Sequence, residues 1–79
     1  MRSFIISYKY MNKMFRERFG TFVHTTECIH AEEISNNILS DLHERMLDIK
    51  DMDGLNFAID KMWEITGEEL IPVGELNAS

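Results

Sequence analysis

In the stretch "AEEISNNILSDLHERMLDIK", apolar side chains recur every three or four residues at Ala31, Ile34, Ile38, Leu42, Met46 and Ile49. At about 100° per residue they fall on one stripe of a helix, with the charged and amide side chains opposite. Such a helix must bury its stripe against a second layer. The chain has 79 residues, enough for one domain with one thin core, so the partner layer has to come from the same short sequence.

The flanking segments supply candidates. "SFIISYKY" alternates, with Phe4, Ile6, Tyr8 and Tyr10 on one parity, and reads as a strand. After a turn at Asn12, "FRERFGTFVHTT" reads as a second strand. Its parity sets Phe15, Phe19 and Val23 on one side and Arg16 and Arg18 on the other, with Gly20 as the place for a bulge. Beyond "DMDG", Leu55, Ala58, Ile59, Met62, Trp63 and Thr66 form a second helical stripe, with Asp53 as N-cap and Gly67 as stop. "EELIPVGEL" reads as a short last strand, confined to an edge because Pro72 has no N–H to donate. The expected architecture over residues 1–79 is a single α+β domain, β-β-α-α-β. It has a small antiparallel three-stranded sheet with two helices on one face.

The net charge of −6 is unevenly placed. Residues 1–18 hold five bases against Glu17 alone, whereas residues 19–79 hold Arg45, Lys50 and Lys61 against thirteen acids. The acidic part disfavours general nucleic-acid binding and suits a basic protein surface. Cys28 is the only cysteine, so no internal disulfide can form. The early apolar run Phe4 to Ile6 is too short for a signal-peptide core or a membrane span. A cytoplasmic protein without membrane contact is expected.

"HTTECIHAEE" concentrates His24, Cys28 and His30. In an extended strand His24 and Cys28 are roughly 13 Å apart, too far to share one tetrahedral ion. A Cys–His nucleophile needs a third, orienting group that the stretch does not name. Capping explains more of it. With His30 at the N-cap, Glu33 sits at N3 as in a capping box, and Ile29 and Ile34 form a hydrophobic staple. "DIKDMDG" fails as a calcium loop: with Gly54 at the sixth position, Ile49 would fill the first. No cofactor, metal or catalytic constellation is expected.

Opposite the apolar stripe, Glu33, Asn37, Asp41, Glu44, Asp48 and Asp51 line up within roughly 80° of one another. One reading is a solvated helix face. The other is a row of carboxylates imitating a phosphate backbone, able to dock into a basic groove. Leu47 and Phe57 miss the core stripes and, with six methionines, suggest a contact surface or a homodimer. The basic hairpin tip, Lys13, Arg16 and Arg18, offers phosphate contacts, with Tyr8 and Tyr10 near enough to stack on bases. Charge protection of an edge strand also explains it.

"FIISYKY", "FGTFVHTTECIHAEEI" and "ELIPVG" resemble small phage and prophage proteins of a compact β-β-α-β type. The resemblance covers both ends and the first junction; the long first helix and the Trp63 segment depart from it. In size and acidity the chain is also similar to anti-CRISPR proteins and other inhibitors of host defence. The resemblance implies a non-catalytic inhibitor, acting in the host cytoplasm if phage-encoded. Its partner would be a host protein with a basic nucleic-acid-binding surface, such as a CRISPR effector. The expected contact residues are Glu33, Asp41, Glu44, Leu47, Asp48, Asp51 and Phe57. The alternative is a nucleic-acid-binding or regulatory protein using Lys13, Arg16 and Arg18.

Overall fold

The computed structural model describes residues 1–74, apart from the side chain of Leu55. Over these residues the order is β1 (Arg2–Asn12), β2 (Glu17–Thr26), α1 (Ala31–Met46), β3 (Met52–Thr66) and β4 (Glu69–Pro72). The strands form one antiparallel sheet in the order β2-β1-β3-β4. The end of the expected last strand, Glu75 and Leu76, lies outside the described residues.

The helical stripe does what its spacing requires. Ile34, Ile38, Leu42 and Met46 are buried against Phe4, Ile6 and Phe22 of the sheet, with Met52 closing the core. Ala31 and Ile49, at the ends of the stripe, are half-buried. His30 takes the N-cap position with extended backbone, φ −87° and ψ 127°, but its side chain makes no capping bond. Ile29 is 78 % exposed, so the expected staple with Ile34 does not form.

The expected architecture is corrected at its second helix. Residues 52–66 form the long strand β3, so the sheet has four strands rather than three, and one helix rather than two covers it. The cause is a bulge. Ser7 pairs with Lys61 and Tyr8 with Ile59, so Asp60 is an extra residue on β3. Phe57 and Ile59 face the helix before the bulge, and Met62 and Glu64 face it afterwards, by their pairing with Tyr10, Tyr8, Ile6 and Phe4. The step from Ile59 to Met62 is three residues, which imitates helical spacing. Ala58 and Trp63, placed in the same stripe by that spacing, lie on the opposite face, paired with Lys9 and Ile5. The central strand β1 also needs hydrogen-bond partners along both edges, and β3 supplies the second.

The parity of β2 is corrected as well. Its register with β1 runs without a break from Arg2↔Thr26 to Met11↔Glu17, so Gly20 is no bulge. Phe22 is the buried residue, while Phe19 and Val23 are 62 % and 54 % exposed. Gly20 lies opposite Tyr8, and a Cβ there would collide with the Tyr8 ring. β4 is the expected edge strand, ending at Pro72.

The β1–β2 turn is held from inside. The Asn12 side chain, 1 % exposed, accepts hydrogen bonds at Oδ1 from the N–H groups of Met14 and Arg16, both at 2.9 Å. The N–H of Lys13 donates to the carbonyl of Asp51 at 2.7 Å, tying the hairpin to the turn after α1.

Candidate protein-interaction surface

α1 packs its stripe on the sheet and turns the acid row outward. Glu33, Asn37, Glu44, Asp48 and Asp51 are exposed. Among the described residues no cation lies within 4.0 Å of the four carboxylates in this set. Leu47, the C-cap residue between Glu44 and Asp48, is 63 % exposed.

Asp41 is different. It sits on the flank of α1 nearest β2, where its Oδ2 accepts from His24 Nδ1 at 2.9 Å and its Oδ1 from Arg45 Nε at 2.9 Å. A carboxylate can only accept, so His24 carries its proton on Nδ1. Burial pushes the Asp41 carboxyl up, but the hydrogen bonds and charges of His24 and Arg45 outweigh it and hold the group below the usual range. The Arg45 guanidinium lies 4.4 Å from the centroid of the Phe22 ring. Asp41 is thus engaged within the fold and does not project with the rest of the row.

Phe57 also departs from expectation. It packs half-buried against the core, and its ring lies 6.2 Å from that of His43. The outward surface therefore consists of Glu33, Glu44, Leu47, Asp48 and Asp51.

His24, Cys28 and His30 are not brought together. The His24 ring bonds to Asp41, and its Nε2 is buried without a hydrogen-bond partner among the described residues. Cys28 Sγ accepts from Asn37 Nδ2 at 3.4 Å, and His30 is exposed. No three His, Cys, Asp or Glu side chains among the described residues are grouped to hold a metal ion. No helix among them is long and apolar enough to cross a membrane.

At the hairpin tip Lys13, Arg16 and Arg18 are exposed, as a phosphate contact requires. Tyr8 and Tyr10 do not join them. They stack on each other at 6.5 Å and lie half-buried on the helix side of the sheet, Tyr8 against Phe22. Instead the tip presents Met14 and Phe15, 69 % and 78 % exposed, with Phe15 in the left-handed region at φ 59°. A bulky residue at positive φ is uncommon, and only its place in the turn after Asn12 signals it in the sequence. The His24–Asp41–Arg45 cluster left one readable trace, the i,i+4 spacing of Asp41 and Arg45.

No family model, curated protein or solved structure matches the chain.

Proposed function

We propose that the protein is a non-catalytic, cytoplasmic binding protein that docks the outward side of α1 and the turn after it onto a basic surface of a nucleic-acid-handling protein. Glu33, Glu44, Asp48 and Asp51 stand in for phosphates, and Leu47 is the apolar anchor among them. The observation that carries this reading is the set of four exposed carboxylates without a cation partner among the described residues, around an exposed leucine. A CRISPR effector is the member of this partner class that the sequence resemblance singles out. In that case the protein is an inhibitor of host defence.

The test is displacement of a labelled oligonucleotide from purified nucleic-acid-handling proteins, a CRISPR effector among them. The wild-type chain should displace it in a salt-sensitive manner. The Glu33→Lys/Glu44→Lys/Asp48→Lys variant should not, at unchanged far-UV circular dichroism. Asp41 stays untouched because its loss would disturb His24 and Arg45. Equal displacement by the folded triple variant would sink the proposal.

A second reading rests on the exposed Phe15 among Lys13, Arg16 and Arg18. In that reading the tip binds single-stranded nucleic acid by stacking and phosphate contact. Direct binding of the oligonucleotide by the protein in the same assay would favour it.

A further inference from the structure

α1 covers one face of the sheet, and the register defines what the other face carries. Val23, Ile5, Trp63 and Pro72 form one row across the four strands. Thr25, Ser3, Ile65 and Leu70 form the next. Six of these eight side chains are apolar and none is charged. An antiparallel sheet that faces water on one side ordinarily alternates polar residues outward; these two rows do not, and the polar row of Thr21, Ser7 and Lys61 follows them. Val23 and Leu70 are each 54 % exposed. Ile5, Trp63 and Ile65 are half-buried, shielded by their neighbours in the flat patch. A shallow groove at the β3–β4 side, lined by Trp63 and Pro72 together with the charged Asp60 and Lys61, borders it.

We propose that this face is the interface of a homodimer, with two copies stacked sheet to sheet and α1 of each on the outside. Charge favours a second copy as the occupant. The chain carries a net charge of −6, but its acid row is on the helix side. Toward the hairpin end of the outer face Lys9 Nζ lies 4.0 Å from Glu17 Oε1, and Lys61, paired with Ser7, is exposed beside the apolar rows. Two copies joined here keep their acidic helices apart.

The area also fits. Three strands roughly 30 Å long or more and the four-residue β4 of roughly 13 Å, spaced about 4.8 Å apart, present about 500 Å² per copy. Two copies then bury on the order of 1,000 Å², about the least that a specific interface needs. Stacked sheets pack about 10 Å apart with side chains interdigitating. Trp63 lies in one of the two apolar rows of that layer.

The test combines sedimentation velocity with the fluorescence of Trp63, the chain's one tryptophan. From low to high micromolar concentration the sedimenting mass should double, and Trp63 emission should shift to the blue over the same range. The Val23→Lys/Leu70→Lys variant changes two residues that are more than half exposed on the edge strands. It should stay at the mass of one chain with unchanged far-UV circular dichroism. The acid-row triple variant should still dimerise, which separates this proposal from the partner-binding one. Wild-type protein that stays at the mass of one chain overturns the proposal, whatever else binds the face. So does a double variant that still dimerises, or a dimer whose formation leaves Trp63 emission unchanged.

Discussion

Asn12 shows how much one polar side chain can fix. A four-residue connection between β1 and β2 leaves several N–H groups pointing into its own loop. The buried Oδ1 of Asn12 takes two of them, and the carbonyl of Asn12 accepts from Phe15 N–H at 3.0 Å. Alanine at this position leaves both Oδ1 donors without that acceptor. Asn12→Ala should therefore lower stability by about 1–3 kcal/mol, read as a lower urea midpoint with little change in slope. The sequence marked Asn12 as turn chemistry but gave no sign that it would be buried. A buried polar residue is legible only once its hydrogen-bonding donors have positions. The same holds for His24. Its partner, Asp41, is 17 residues away on another element, beyond the reach of local spacing.

Among the elements, α1 was the most legible because its period is undisturbed for 16 residues. β3 was the least legible because its register with β1 shifts twice, and the extra residue at Asp60 moves its alternation onto the other parity and produces a false helical stripe. β2 was recognised as a strand with the wrong face inward. Phe19, Phe22 and Val23 offer both parities, and only pairing with β1 decides between them. The start of α1 leaves a measurable deficit. His30 has the extended backbone of a good N-cap and contributes no side-chain bond. Aspartate there can accept from the first-turn N–H groups and meets the positive end of the helix dipole. His30→Asp should raise stability by about 0.5–1 kcal/mol, seen as a higher melting temperature. Glu32 and Glu33 nearby temper the gain.

For the molecule as a whole, the charge imbalance was legible from composition, and the fold shows which charges it uses internally. Arg2 donates to both carboxylate oxygens of Glu64 at 2.8 Å, joining the start of β1 to the end of β3. That hydrogen bonding, against a smaller effect of burial, holds the Glu64 carboxyl below its usual range, as His24 and Arg45 do for Asp41. A carboxyl whose pKa is lower in the folded state favours folding when ionised. The contribution is present above the unfolded value of about 4 and is lost as pH falls through the lower folded value. Between pH 7 and pH 3 the wild-type urea midpoint should drop. The Asp41→Asn/Glu64→Gln variant, less stable at pH 7, should lose less over that interval. The candidate contact surface was legible in part. Periodicity placed Glu33, Glu44, Leu47 and Asp48 outward, but it could not foresee that Asp41 would be engaged or that Phe57 belonged to a strand. The uncovered sheet face was not legible, because it exists only through the register of four strands.

The strand order also bears on how the chain is made. β1 lies in the middle of the sheet, yet its partners leave the ribosome far apart. β2 follows after a short turn, whereas the pairing of Ser3 with Ile65 waits for most of the chain. Until then β1 has one open edge and the stripe of α1 has only a two-stranded hairpin to rest on. Seven of the eight buried apolar residues among those described belong to β1, β2 and α1, so β3 adds Met52 to the core and closes the open edge of β1. A nascent chain stalled before Met52 would display that edge to its neighbours, and this is the stage at which the protein is most exposed to pairing with the wrong strand.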